Sequence, residues 1–311
     1  MRSLRLLRVF LLPASMLVLL LFVSSYWLPQ GTPEGCNSVW RPCFSVYSQT
    51  SKPEPHAIAE SNHIAENDIL MEECPGQDFQ VSHLYSHLTY ALGPASDVIL
   101  DEYLSSWEEL IKFMNSLGAL VSFFSPKVQE KITLLRDLSS PSSHIARSAL
   151  WQQRLNNAAA VDTPLPLDAG TYHSVRSMLD GELGAGLVDF SRHTPSGSRT
   201  LLRLHRSLLW LRLLLDKLHE GPDAEGHLRS PGELCREAYR QALAPHHPWL
   251  LRQAAEVAFG AMPARKVFLE LVCVTSQEEA KPVMRTLVAA IKKVHHRTQR
   301  MLEERNMLEL P

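Results

Sequence analysis

The sequence predicts an all-α fold, and three observations carry that expectation. Leu100, Tyr103, Leu104, Trp107, Leu110, Ile111, Met114 and Leu117 recur every three or four positions, which gathers them on one helix face. Thr200 to Leu218 is apolar on nearly every side, through Leu201, Leu202, Leu204, Leu208, Leu209, Trp210, Leu211 and Leu213. A helix of that kind sits inside a bundle. Finally, helix-start signals stand ahead of apolar runs, and no stretch alternates in the two-residue period of a strand.

Taken in order, the chain begins with Arg2, Arg5 and Arg8 ahead of an apolar run from Val9 to Val23, broken by Pro13, Ala14 and Ser15. This is the pattern of a signal peptide. Counted with Leu4 to Leu7, the run is also nearly long enough to span a bilayer, with Tyr26 and Trp27 at the interface. Cleaved signal, permanent anchor and uninserted tail all remain open for residues 1–27. Residues 28–77 are rich in Pro, Ser, Glu and Asn without lasting periodicity, and read as a disordered linker.

The folded part is expected over residues 78–311, with helical pattern from Phe79 onward. Ser139 to Ser143 marks a loop, Ala146 to Ala160 suits a short helix, and Pro164 and Pro166 break the chain again. After the Thr200–Leu218 helix, Ser230, Pro231 and Glu233 form a capping box with proline at the first helical position. Pro248 opens a helix through Leu250, Leu251, Ala254 and Val257; Pro263 interrupts it, and Val267, Phe268 and Leu271 follow. Ser276 and Glu279 suggest a second capping box, opening a long last helix with Val283, Leu287, Ile291 and Val294. The total is about eight helices, with no internal repeat.

Composition narrows the function. The 311 residues are 45% hydrophobic and 21% charged, with a formal net charge of -2. No global field points to nucleic acid or to an anionic membrane, so any anion site must be a local cluster. Five cysteines are too few for a disulfide scaffold. Cys36 and Cys43 are closely spaced, but the odd count and poor spacing favour free thiols over a bridge between them. There is no nucleophile elbow, phosphate-binding glycine loop or H-E-x-x-H motif, so no catalytic residues and no cofactor are assigned. The adjacent pairs His246/His247 and His295/His296 have poor metal-ligand spacing, and no metal site is assigned; the second pair reads as a solvated face.

The unusual feature is Arg199, Arg203 and Arg206 on one face of the most apolar helix. A basic stripe is usually a solvated face. The surrounding leucines place this one deep, where guanidinium groups need partners, and an anionic ligand would supply them. Lys127 and Lys131 form a second basic pair one helical turn apart.

At these residues the chain resembles a known family. The blocks Ile99–Trp107, Phe113–Gly118, Ser198–Trp210, His247–Arg252 and Met262–Glu270, with Leu308–Pro311, are similar to the ceramide-1-phosphate branch of the glycolipid transfer protein family. The resemblance covers about residues 78 to 311, with an apparent insertion near 140 to 168. It implies a two-layer α-helical sandwich that encloses the lipid chains and holds the head group at a surface cleft. It implies non-vesicular transfer of a phosphorylated sphingolipid such as ceramide 1-phosphate, by a monomer that works at membrane surfaces. Lys131, Arg199 and Arg203 match the cations that hold the phosphate, and His247 matches the histidine that binds the ceramide amide carbonyl. Trp249 is expected to be structural. The family's precedent is cytosolic, whereas the hydrophobic leader suggests membrane anchoring or secretory entry.

One position departs from the family. An aspartate that accepts the amide N–H is expected one turn before Lys131, and this chain has Lys127. Lysine has no acceptor. Glu130, three residues on, is the candidate to compensate. A tethered lipid sensor, or a binder of another anionic lipid, is the alternative function.

Overall fold

The computed structural model describes residues 73–140, 170–193, 195–222 and 226–311. The leader, most of the linker, and the short helix expected within residues 146–160 lie outside them. The described chain is all-α: α1 Val81–Tyr90, α2 Leu100–Ser116, α3 Ala119–Ser122, α4 Ser125–Ser139, α5 Val175–Gly184, α6 Gly197–Leu218, α7 Pro231–Ala242, α8 Trp249–Gly260, α9 Arg265–Leu271 and α10 Gln277–Glu303. Pro94–Ser96 and Ala244–His246 are single 3₁₀ turns. Extended pairing among the described residues is limited to two isolated bridges, Leu92 with Val98 and Ile99 with Ser174. No helix among the described residues is long and apolar enough to cross a membrane.

The helix starts follow their caps. Ser230 accepts from the Glu233 amide while the Glu233 carboxylate reaches back to the Ser230 amide, with Pro231 in the first turn. Ser276 also caps its helix, accepting from the Glu279 amide. The expected second box is only half formed, because the Glu279 carboxylate turns to the backbone N–H of Thr275 at 2.9 Å. Pro248 is the cap of α8 rather than its first residue; its ring fixes φ, here -64°, and its ψ of 159° is extended.

Helix α6 is the centre of the domain, packed against α4, α5, α7 and α10, while α2 joins α1 to α4. Its apolar residues Leu201, Leu204, Leu208, Leu214 and Leu218 are fully enclosed, as the all-round apolar pattern requires. The start of α6 is held by a buried carboxylate. Glu182, on α5, accepts from the Gly197 amide at 2.7 Å, the Ser198 amide at 2.8 Å and the Ser198 hydroxyl at 2.7 Å. Tyr172 completes the set at 2.9 Å. A negative charge at a helix N-terminus is favourable because the first amides there lack partners. Helix α7 comes unusually close to α8 at Gly232, where a Cβ would collide with the Phe259 carbonyl oxygen.

Two expectations need correction. The packed body starts a few residues before position 78. Cys74 is buried and forms a disulfide with Cys273, Cα atoms 5.6 Å apart, across 199 residues of sequence, and Gln77 donates to the Leu271 carbonyl. A pairing this distant in sequence leaves no spacing signal. Cys36 and Cys43 lie outside the described residues, and Cys235 is a buried free thiol. Nor are His295 and His296 one solvated face. His296 is exposed, but the His295 ring stacks on buried His205 of α6, centroids 4.0 Å apart. Adjacent helical residues diverge by about 100°, so one of such a pair can enter an interface while the other meets water.

Candidate functional site

A cavity of about 490 Å³ opens between α2, α4, α6, α7 and α8. That volume is within the roughly 300–1,000 Å³ typical of small-molecule sites. Its body is apolar, with Trp107, Leu110, Phe113, Leu211 and Phe259 among its walls. A smaller void lined by Phe79, Leu84 and Phe268 adjoins it, sharing Leu110, Phe113 and Leu211 as partitions. The polar groups collect at one part of the wall: Lys127 and Lys131 from α4, Arg199, Arg203 and Arg206 from α6, and His246 and His247 from the turn before α8.

The arginine stripe therefore faces the cavity. Arg199 is only 1% exposed. Its guanidinium is fixed by main-chain carbonyls, with Nε donating to Pro311 at 2.5 Å and Nη2 to Asp189 at 3.1 Å and Arg192 at 2.9 Å. Burial, then the neighbouring Arg203 charge, pushes its pKa below the ordinary arginine value. Arg203 is half-buried, and its Nη2 lies 3.0 Å from His193 Nε2. Arg206 donates to the Leu308 carbonyl at 2.5 Å. Among the described residues, Arg203 and Arg206 form no ion pair with a carboxylate.

Lys131 reaches back to the Lys127 carbonyl at 2.9 Å. Its pKa is lowered chiefly by burial; the Glu130 charge opposes the shift, and Arg203 and Lys127 add to it. Lys131 and the three arginines line the same cavity, which spacing alone left undetermined. Lys127 lines the same wall, but its ammonium turns out to solvent, 2.9 Å from Glu130, with both side chains exposed. Glu130 therefore neutralises Lys127 and does not line the cavity.

His247 is half-buried, with Nδ1 2.9 Å from the Tyr239 hydroxyl. Burial first, then the charges of His246, Lys131 and Arg206, depress its pKa and favour the neutral ring. Three groups escaped the sequence reading: Tyr239, which orients His247; Glu182, which fixes the start of α6; and Leu310 with Pro311, which close one wall. None belongs to a motif with local spacing. Trp249 is not a core residue: it is 63% exposed, beside exposed Leu250 on the first turn of α8.

Comparison with known proteins gives this arrangement a family. The model of the glycolipid transfer protein family matches residues 98–274. The ceramide-1-phosphate transfer protein of Mus musculus is 36% identical over 242 residues, spanning 76% of this chain and 98% of the relative. That of Homo sapiens is 34% identical over 224 residues, spanning 71% and 91%. The apo crystal structure of the mouse protein superposes with a TM-score of 0.61 at 35% identity, covering 75% of this chain and all of that one (100%). The human protein in complex with 2:0 ceramide-1-phosphate gives a TM-score of 0.62 at 31% identity, covering 75% and 99%. On these blocks of sequence and this helical fold, the chain belongs to the glycolipid transfer protein family, among the relatives of the ceramide-1-phosphate transfer proteins.

Proposed function

We propose that this protein binds ceramide 1-phosphate and moves it between membranes without covalent chemistry. The observation that carries the reading is the meeting of Lys131, Arg199 and Arg203 on one wall of an apolar cavity. Cations on that wall suit a phosphate, and the apolar body suits hydrocarbon. Arginine suits phosphate because its planar fork donates parallel hydrogen bonds, each charge-assisted bond contributing about 1.5–3 kcal/mol. Arg199 already gives its Nε and Nη2 donors to three carbonyls, so it contributes a pre-placed positive charge rather than a fork.

His247 binds the amide carbonyl in this reading. When the Tyr239 hydroxyl donates to Nδ1, the neutral ring carries its proton on Nε2, free to donate to the carbonyl oxygen. The chains lie among the leucines and phenylalanines. Each buried methylene is worth about 0.8 kcal/mol, so a sixteen-carbon chain needs roughly 13 kcal/mol of replacement for the bilayer it leaves. The cavity and its adjoining void supply that environment, and the protein extracts, shields and releases the lipid. Exposed Trp249 and Leu250, next to His247 in sequence, serve as the contact with the bilayer.

The test is transfer by the purified full-length protein between donor and acceptor vesicles carrying fluorescent ceramide 1-phosphate, with galactosylceramide and phosphatidic acid as controls. Selective movement of ceramide 1-phosphate is expected, and Arg203→Leu abolishes it while leaving the helical circular dichroism intact. Equal transfer by that variant would refute the phosphate role. Movement of phosphatidic acid instead would favour a different anionic lipid, the reading that Lys127 recommends.

A further inference from the structure

A second basic site lies away from the lipid cavity. A cleft of about 360 Å³ opens between the Pro94–Ser96 turn, the first turn of α5 and the last three turns of α10. It shares no lining residue with the lipid cavity. Its walls carry Arg176, Lys293, His296, Arg297 and Arg300, with Glu304 as the carboxylate at one end. Lys293, His296, Arg297 and Arg300 follow the three- and four-residue spacing of one helix face.

Such a stripe is ordinarily a solvated face. Two features set this one apart. First, the stripe forms one side of a concavity whose walls are tied together. Arg297 donates to the Gly93 and Asp97 carbonyls at 2.7 and 2.9 Å, joining α10 to the turn. Asp97 in turn accepts from the Arg176 amide at 3.1 Å and the Ser174 hydroxyl at 2.6 Å, joining the turn to α5. The turn itself is strained, with Ala95 at φ 50° and Ser96 at φ 60°. Neither residue gains the freedom that glycine would have there.

Second, three of the basic side chains are not consumed. Arg297 is spent on carbonyls, and Arg176 stands 3.7 Å from Glu304, which also faces Arg305 at 3.5 Å. The side chains of Lys293, His296 and Arg300 make no hydrogen bond or ion pair among the described residues. Grouping like charges one turn apart opposes helix stability. The fold therefore leaves Lys293, His296 and Arg300 around the hollow, while Glu304, the one carboxylate among the described lining residues, already faces Arg176 and Arg305.

We propose that this cleft binds a small organic anion bearing two or more phosphate groups, separately from the transported lipid. The volume exceeds what a single phosphate fills and suits a phosphorylated ring or a phosphorylated lipid head group. Arg300 and Arg176 approach from different elements and carry planar forks, and Lys293 adds a point charge two turns before Arg300 on α10. A free soluble polyphosphate and a lipid head group share this chemistry, so the experiment separates them.

The purified full-length protein is titrated with inositol trisphosphate, with inorganic phosphate, and with phosphatidylcholine vesicles with and without phosphatidylinositol bisphosphate. The result expected is saturable binding of the trisphosphate, tighter than inorganic phosphate, weakening as salt rises. The double variant Lys293→Glu/Arg300→Glu loses about tenfold or more in affinity, and Arg203→Leu does not. Both reversed residues are exposed, so the helical circular dichroism is unchanged. Binding confined to the bisphosphate vesicles, with the same pattern among variants, assigns the cleft to a membrane lipid. Three results overturn the proposal: no saturable binding of either probe, affinity unmoved by the double variant, or affinity lost in Arg203→Leu, which would put the anion in the lipid cavity. Because the variants separate the two sites, failure here leaves the transfer reading standing, and the reverse.

Discussion

The imidazole rings of His205 and His295 stack 4.0 Å apart, tilted by 18°, and join α6 to α10. Gln299 holds the His205 Nε2 at 2.5 Å, while His205 Nδ1 and His295 Nε2 have no hydrogen-bond partner. Burial depresses both pKa values, His205 to about 4 and His295 to about 3. Nearby charges modify this: Arg206 lowers and Glu303 raises the first, while His205, Arg212 and His296 lower the second. Above about 6.5, folded and unfolded chains both carry neutral histidines, so pH has no effect through them. As pH falls from there toward about 4, the unfolded chain binds protons that the folded one refuses, and stability is lost. Each histidine contributes about 1.4 kcal/mol per pH unit in that window. Thermal melts between neutral pH and about pH 5 check this. His295→Phe keeps a stacked ring without the titration and is expected to flatten the profile; an unchanged slope would remove the pair from the account.

Glu182 sits 1% exposed and accepts three hydrogen bonds from the first residues of α6. Glu182→Gln replaces one acceptor oxygen with a donor that faces these donors. The expected loss is about 3 kcal/mol, the scale of one or two buried charge-assisted bonds. Arg199 and Arg203 lie within two turns of this cap, so a loosened start of α6 also displaces the phosphate cations. Chemical denaturation reads the first effect, and ceramide 1-phosphate affinity under conditions where the variant is folded reads the second.

Lys127 and Glu130 form an exposed pair, which contributes roughly 0–1 kcal/mol to stability. Lys127→Asp therefore costs little. It restores an acceptor on the cavity wall one turn before Lys131. Ceramide 1-phosphate binding is expected to strengthen about tenfold, the equivalent of one net hydrogen bond to a charged group. No gain, or a loss, measured by equilibrium titration with labelled lipid, would mean that Lys127 is not a defective amide contact.

The Cys74–Cys273 bridge closes 199 residues of chain and pins the segment before α1 to the turn after α9. Removing it is expected to cost about 2–5 kcal/mol, since long loops gain most from closure. Cys74→Ser should lower the melting temperature, and dithiothreitol should lower that of the parent but not of the variant. Such bonds persist in oxidising compartments. Alkylation of thiols in intact cells before lysis is expected to leave Cys74 and Cys273 unlabelled; labelling of both would place the domain in a reducing compartment.

Periodicity and capping sufficed for the helices because both are local. The spacing of Leu100 to Leu117 and the Ser230–Glu233 box are set by residues three or four apart, so α2 and α7 could be read directly. The same spacing put Arg199, Arg203 and Arg206 on one face, and the surrounding leucines gave that face depth. What it did not contain was any relation between helices. Whether Lys131 approaches Arg203, whether Tyr239 orients His247, and which carboxylate caps α6 depend on how elements far apart in sequence pack. The last helix was read through its hydrophobic positions and its His295/His296 pair, and the basic cleft it shares with the distant Pro94–Ser96 turn was missed for the same reason.

The sequence by itself determined an all-α domain, the apolar character of α6 and its arginine stripe, because helical pattern and buried charge are written in neighbouring residues. Only the tertiary structure decided that the stripe faces a cavity, that Glu130 spends itself on Lys127, and that Cys74 belongs to the folded body. Those outcomes rest on contacts spanning up to 199 residues, whose partners are selected by packing of the whole core and by no spacing along the chain.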